Sequence, residues 1–95
     1  EGVKVVEARP IRIVSPQYTE SLRSAGLEGS VIVKFDIDIN GRVINSFILR
    51  SSRHKELDLI VLEAVQQFRY NPKLVGGVPE ISKGKKRKYT FTLED

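Results

Sequence analysis

Apolar and polar residues alternate most regularly between positions 31 and 40. The apolar positions of this stretch are Val31, Val33, Phe35, Ile37 and Ile39. A period of two residues predicts a strand with one buried face. Asn40-Gly41 then predicts a hairpin turn, and a second strand follows from Arg42 to about Ser51.

The sequence allows two registers for this hairpin, because both faces of its second strand carry apolar residues. A two-residue turn places Ile44 and Ile48 beside the buried row of the first strand. A three-residue turn with a glycine bulge places Phe47 and Leu49 there instead.

Two helices are predicted from apolar residues spaced three and four apart. The first begins at Ser15-Pro16, which suit the N-cap and the first helical position, and closes at Gly26. The second runs from about Lys55 to Arg69, and Asn71-Pro72 ends it. The apolar face of the first helix consists of Tyr18, Leu22 and Ala25, and that of the second of Leu57, Ile60, Val61, Ala64, Val65 and Phe68.

The remaining segments are less regular. Residues 1–14 are interpreted as an extended, partly attached end of a linker, interrupted by Pro10, before a domain that spans residues 15–95. Residues 73–84 contain Gly76-Gly77 and are interpreted as a connection. A last strand follows from Lys85 to Leu93. The order helix, strand, strand, helix, strand predicts an α+β fold, in which both helices cover one face of a three-stranded, mainly antiparallel sheet.

Length and composition fit one small globular domain. The chain has 95 residues, of which 40% are hydrophobic and 29% charged. The longest apolar run, Leu59 to Leu62, is far shorter than a membrane span. Because the chain opens at Glu1 without a signal peptide, we expect a fragment whose targeting segments lie elsewhere. Cysteine is absent, which excludes disulfides and thiol chemistry.

The net charge of +4 comes from one local cluster. Five of the sixteen basic residues lie between positions 83 and 88, and the rest of the chain is nearly neutral. A nucleic-acid module usually spreads basic residues over several elements, so this pattern argues against one. The cluster is typical of an edge strand that lysines protect from aggregation, and a patch for nucleic acid or anionic lipid is the alternative.

Two groups of polar residues resemble known sites only in part. Asp36, Asp38, Asn40 and Gly41 match the start of a calcium-binding EF-hand loop, but the twelfth position is Phe47 instead of a bidentate Glu. Ser51, His54 and Asp58 have the residue types of a hydrolase triad, but no oxyanion loop accompanies them. We therefore expect no catalytic residue, no metal site and no cofactor.

The succession of short motifs resembles the TonB C-terminal domain family over about residues 12–93. The family often has Gln-Tyr-Pro where this chain has Gln17-Tyr18-Thr19, and Trp where it has Phe68. The matching motifs are Pro16-Gln17-Tyr18, Gly26-Leu27-Glu28-Gly29, Val31-x-Val33-x-Phe35-x-Ile37, Gly41-Arg42-Val43, Ser51-Ser52, Leu57-Asp58, Ala64-Val65, Phe68-Arg69-Tyr70-x-Pro72 and Gly77-x-Pro79.

The resemblance implies a non-catalytic periplasmic domain of an inner-membrane-anchored energy transducer. Such a protein works with ExbB and ExbD and binds the TonB box, a short extended segment of an outer-membrane transporter for iron-siderophore, haem or cobalamin. In the family the box adds as a strand beside the last strand, near the Gln-Tyr motif. The residues implied to bind the partner are Gln17, Tyr18, Lys85, Lys86, Arg87, Lys88, Tyr89, Thr90, Phe91 and Thr92.

Other functions remain as alternatives at this point. A TolA-like domain that tethers the cell envelope would share the fold, and a basic nucleic-acid module or a small hydrolase would come from other classes. DNA binding would show a steep salt dependence, and hydrolysis would depend on Ser51 or His54. An exposed strand edge also allows a homodimer.

Overall fold

The computed structural model describes residues 2–93 of the chain. The described part contains two helices and eight strands. The helices are α1 (Glu20–Ser24) and α2 (Lys55–Val65). The strands are β1 (Val5–Val6), β2 (Arg9–Arg12), β3 (Gly29–Ile37), β4 (Val43–Arg50), β5 (Arg69–Asn71), β6 (Lys73–Val75), β7 (Val78–Glu80) and β8 (Ser82–Phe91).

The main sheet has the antiparallel strand order β4-β3-β8, and α2 packs against β3 and β4. Every second residue of β3 is buried beneath the helix, as the alternation predicts. The predicted α+β fold class is therefore confirmed. The core consists of Val31, Val33, Phe35 and Ile37 of β3, Leu57, Val61 and Val65 of α2, and Phe68, Tyr70 and Phe91.

Two small sheets lie outside the predicted architecture. β2 pairs with β5, and β6 pairs with both β1 and β7 in what we call the small sheet. The interpretation of residues 73–84 as a connection is therefore wrong, because they form β6, β7 and the start of β8. The N-terminal segment is extended and is held by β5 and β6. Its first residue and the last two residues of the predicted domain, 94–95, lie outside the described residues.

Both helices are shorter than predicted. α1 begins at Glu20 and not at Ser15-Pro16, because Thr19 is its N-cap and accepts a hydrogen bond from the Leu22 N–H at 3.3 Å. Gly26 follows α1 with φ of +74°, as expected of a glycine that closes a helix. α2 ends at Val65 and not at Arg69, since residues 69–71 extend to pair with β2.

The hairpin of β3 and β4 follows neither predicted register throughout. Val43 pairs with Ile37 and Ile48 pairs with Val33, so that both pack against the core. Between them Asn45 has φ of +56°, and the register shift at this bulge changes which face each residue occupies. Ile44 consequently pairs with the outward-facing Asp36. Phe47 and Leu49, which the second register would bury, are 48% and 47% exposed.

Candidate partner-binding edge

β8 forms one edge of the main sheet. Seven consecutive residues, from Lys85 to Phe91, each pair with a residue of β3 without a register shift. Within residues 2–93, no further strand pairs with the outer side of β8. The backbone N–H and C=O groups that point away from β3 are therefore available to another strand.

The opposite edge, formed by β4, is less regular. Its register with β3 shifts twice within eight residues, whereas that of β8 shifts once, beyond Lys85. Asp36 of β3 contacts both neighbouring strands at these irregular points. It accepts hydrogen bonds from the Asn45 side chain at 3.0 Å and from the Gly84 N–H at 2.9 Å, and these bonds hold the pKa of Asp36 below its ordinary value.

The side chains of β8 separate into two rows. Phe91 is buried and Tyr89 half-buried against the core, and Arg87 and Lys85 continue this inner row. Lys86, Lys88 and Thr90 form the outer row, and the Thr90 hydroxyl lies 3.0 Å from that of Ser30. Thr92 comes after the end of β8 and not within it, because the Leu93 N–H turns to the Glu28 carboxylate at 2.7 Å.

The Gln17-Tyr18 segment lies at the C-terminal end of β8. The Tyr18 ring is 5.1 Å from that of Phe91, and its hydroxyl donates a hydrogen bond to the Leu27 carbonyl at 2.7 Å. The exposed Gln17 is thus held beside the last residues of the strand. The structure in this way brings together two groups of residues that are about 70 positions apart.

A groove on the other side of this segment was not predicted. Its volume is about 240 Å³, and it lies between the segment and α2. Glu63 lies on α2 and Gln67 follows the C-terminal end of that helix, and the Gln67 side chain donates a hydrogen bond to the Glu63 carbonyl at 3.0 Å. The packing of residues 14–17 beside them forms the groove. The groove is lined by Val14, Ser15, Gln17, Ile60, Glu63, Ala64 and Gln67.

Arg87 has a defined position on the inner row. Its guanidinium carbon lies 5.3 Å from the centre of the Phe68 ring and 5.7 Å from that of Tyr89. Burial raises the pKa of Tyr70, and the nearby Arg87 guanidinium opposes this shift. The cation therefore rests on aromatic rings and stays exposed at the edge of the sheet.

The family of the chain follows from its similarity to known proteins. The family described as Gram-negative bacterial TonB protein C-terminal matches residues 14–93. The chain belongs to the TonB C-terminal domain family. It is 36% identical to Protein TonB of Xanthomonas campestris pv. campestris strain B100 over 62 residues, which cover 65% of this chain and 28% of that protein. It is also 36% identical to Protein TonB of Vibrio cholerae over 66 residues, covering 70% and 27%.

A solved structure shares the fold of this TonB-type periplasmic domain. The solution NMR structure of the Pseudomonas aeruginosa TonB CTD matches with a TM-score of 0.78 and 27% identity, over 94% of this chain and 89% of that one. The matches to the curated relatives above span just over a quarter of the length of those proteins. Neither helix within residues 2–93 has the length and apolar character that crossing a membrane requires.

Ser51 and Asp58, which share their residue types with a hydrolase triad, have a structural role in this domain. Asp58 accepts hydrogen bonds from the Ser51 hydroxyl and from both the N–H and the hydroxyl of Ser52. Burial opposes ionisation of Asp58, but these bonds outweigh it and its pKa lies below the ordinary value. A triad requires His between Ser and Asp, whereas here the carboxylate binds the serines directly and fixes the start of α2.

The partial EF-hand motif forms a turn. The Asp38 carboxylate accepts hydrogen bonds from the Asn40 N–H at 2.8 Å and the Arg42 N–H at 2.9 Å, and Asp36 is occupied by Asn45 and Gly84. Across the part of the chain that the structure describes, no three His, Cys, Asp or Glu side chains are grouped to hold a metal ion.

Proposed function

We propose that this domain binds the TonB box of an outer-membrane transporter, which adds as a strand to the outer edge of β8. The observation that supports this most directly is the regular stretch from Lys85 to Phe91 at the edge of the main sheet. Strand addition relies on backbone hydrogen bonds and so tolerates partners of varied sequence. Gln17 and Tyr18 contact the end of the added strand.

In the full-length protein, we propose that the domain couples the proton-motive force of the inner membrane to nutrient uptake. ExbB and ExbD would act through the part of the protein that anchors it in that membrane, and the transporter would carry iron-siderophore, haem or cobalamin. The domain itself is periplasmic and performs no catalysis. Membership of the TonB C-terminal family supports this assignment.

The expected affinity is modest. An added strand forms roughly four to six backbone hydrogen bonds, each contributing about 1 kcal/mol, and ordering of the peptide offsets part of that gain. By themselves these hydrogen bonds correspond to a dissociation constant of roughly 40 μM or weaker. Binding of this strength allows repeated engagement and release, and several hydrogen bonds loaded together can resist a brief pull along the strand.

A proline scan of residues 85–91 tests the proposal. Proline lacks the N–H donor, and alternate N–H groups of an edge strand point outward, so peptide affinity should fall at alternate positions. Folded content must be followed by amide spectra, because proline at the intervening positions removes pairing with β3. Lys86→Ala and Lys88→Ala are the controls and should change mainly the association rate and the salt dependence.

The β4 edge provides an internal reference in the same experiment. Titration with a TonB-box peptide should shift the amides of β8 and leave those of β4 unchanged. If every folded proline variant binds the peptide at wild-type affinity, addition to β8 is wrong. The same edge can pair with a second copy of the domain, so sedimentation over a range of concentrations should show whether the peptide competes with a homodimer.

A further inference from the structure

The main sheet has a second face, directed away from α2, which we call the open face. Residues directly opposite in paired strands point to the same side of a sheet. Lys86 of β8 pairs with Lys34 of β3, which pairs on its other side with Phe47 of β4. Lys88 pairs with Ile32 in the same way. These positions of β3 alternate with its buried row, so they lie on the side that α2 does not cover.

Apolar side chains form one half of the open face. Ile48 packs against the core, so its neighbours Phe47 and Leu49 point the other way, and they are 48% and 47% exposed. The half-buried Ile32 and Ile44 lie beside them on the same side of the sheet. Adjacent exposed apolar side chains of this kind mark a surface that a partner or a membrane can cover.

Basic side chains form the other half of the open face, where Lys34, Lys86 and Lys88 lie together on β3 and β8. Asp36 is the one carboxylate in the three strands of the main sheet, and its two oxygens already accept hydrogen bonds from Asn45 and Gly84. The open face is therefore positive along β8 and apolar along β4. The cations of the three strands are Lys34, Arg50, Lys83, Lys85, Lys86, Arg87 and Lys88.

This combination suits an anionic phospholipid surface better than a nucleic acid or an acidic protein. The outward-facing cations of β3 and β8 are all lysines, whose flexible stems can follow phosphates that move in a bilayer. A fixed protein carboxylate is matched more specifically by a forked guanidinium. Nucleic-acid bases stack on aromatic rings, whereas Phe47 is the one aromatic residue of the open face. Aliphatic side chains such as Leu49 suit the boundary between headgroups and acyl chains.

We infer that the open face binds the surface of a membrane that contains anionic phospholipid. Phe47 and Leu49 enter the boundary between headgroups and acyl chains, and the three lysines contact phosphates. Binding through this face leaves the outer edge of β8 accessible, because the N–H and C=O groups of an edge strand point in the plane of the sheet. The inference therefore goes beyond the proposed peptide binding and does not depend on it.

The test measures co-sedimentation of the 95-residue chain with phospholipid vesicles. Phosphatidylcholine vesicles provide the neutral reference, and phosphatidylglycerol is added in increasing proportion. The bound fraction should rise with phosphatidylglycerol and fall with added salt. Lys34→Gln and Lys86→Gln should each lower the partition coefficient roughly 5-fold, because a basic residue near an anionic surface contributes about 1 kcal/mol.

Two leucines of similar exposure provide the matched control. Leu49→Ala changes the open face, whereas Leu59 is 50% exposed on α2, on the other side of the sheet. Leu49→Ala should lower binding roughly 5-fold even at high salt, and Leu59→Ala should leave it unchanged. Lys55→Gln is the corresponding charge control on α2 and should have a much smaller effect than Lys86→Gln.

Amide spectra confirm that each variant is folded, and Phe47→Ala replaces Leu49→Ala if the latter is not. The inference is overturned if neutral vesicles bind as well as anionic ones, or if Leu49→Ala and Leu59→Ala behave alike. A chain that does not bind anionic vesicles also overturns it, whether or not heparin or a Glu-rich peptide binds. The proline scan of β8 uses a separate measurement, so the failure of either proposal leaves the other standing.

Discussion

The main sheet and the small sheet contain similar residues but differ in what covers them. In the main sheet, Val31, Val33, Phe35 and Ile37 lie beneath α2 and are buried. In the small sheet the register aligns Val5, Val75 and Val78 in one row, yet Val5 is 49% and Val78 60% exposed. The comparison shows that valines in strands form a core only where another layer packs on them.

The two sheets also contribute differently to the shape of the domain. The main sheet and α2 form the compact part, and the described residues extend over 56 × 22 × 21 Å. A domain this elongated cannot bury all of its strands around one core. We therefore expect most of the free energy of unfolding to come from the main sheet, and the small sheet to exchange its amide protons more readily.

The largest loss of stability is expected from removing the aromatic ring of Phe35 from the core. Phe35→Ala should lower the free energy of unfolding by about 3–5 kcal/mol, because the ring is 1% exposed and contacts Phe68 and Tyr70. Urea denaturation followed by circular dichroism measures the change. Phe47→Ala removes the same ring from an exposed position on β4 and should cost less than about 1 kcal/mol. Equal losses in the two variants would contradict the assigned core.

Gly41 lies in the turn between β3 and β4, and Gly77 in the turn between β6 and β7. Alanine substitutions at these two positions distinguish the cost of backbone strain from the cost of a steric clash. Gly41 and Gly77 both have φ near +80°, so alanine at either costs about 1–2 kcal/mol in conformational strain. A Cβ at Gly41 would lie 1.8 Å from the Tyr70 carbonyl oxygen, whereas nothing lies within 4 Å of one at Gly77. Gly41→Ala should therefore lose a further 1–3 kcal/mol or so of stability by the same measurement. Similar losses would show that the turn can move away from Tyr70.

The smallest expected effect is on the pH dependence of stability, and it comes from Asp58 near the start of α2. The folded pKa of Asp58 is lowered from 3.8, so its contribution is present above that value and is lost as the pH falls through the folded pKa. Asp58→Asn should flatten the decline of stability between pH 7 and pH 3. The change is about 1 kcal/mol or less, because solvent screens this partly exposed group.

Ser51→Ala is the graded control for this measurement. It removes one hydrogen-bond donor to Asp58 and leaves the two from Ser52, so the pH dependence should fall only in part. An unchanged pH profile in Asp58→Asn would show that these bonds do not favour the ionised carboxylate.

The contrast between the sheets also explains what the sequence could predict. β3 was predictable because nine residues under one helix impose a strict alternation. The strands of the small sheet have three residues or fewer and little burial, so no period can develop. The start of α1 depended on tertiary contacts, since Ser15 and Thr19 are both suitable caps and the Tyr18 hydroxyl bond to Leu27 holds the preceding segment outside the helix.

The candidate site was predictable to a similar degree. Alternation and the family resemblance together indicated β8 and the Gln17-Tyr18 segment. The aromatic support of Arg87 could not be predicted, because Phe68 lies between α2 and β5 and approaches β8 only in the folded sheet. The groove between residues 14–17 and α2 likewise depends on how the N-terminal segment packs.

The bulge at Gly84 interrupts the regular part of β8 and so limits the length of strand that could pair with it. Regular pairing begins at Lys85 and ends at Phe91, where Tyr18 and the turn of Leu93 towards Glu28 close the other end. At roughly 3.3 Å per residue, the track between these two stops is about 23 Å long. Under the proposed strand addition, a longer peptide would form no further backbone hydrogen bonds beyond this stretch, and a shorter one would leave some of them unformed. Asp36, through its hydrogen bond to the Gly84 N–H, would thus set the length of peptide that the proposed strand addition can accommodate, although Asp36 itself would not contact the peptide.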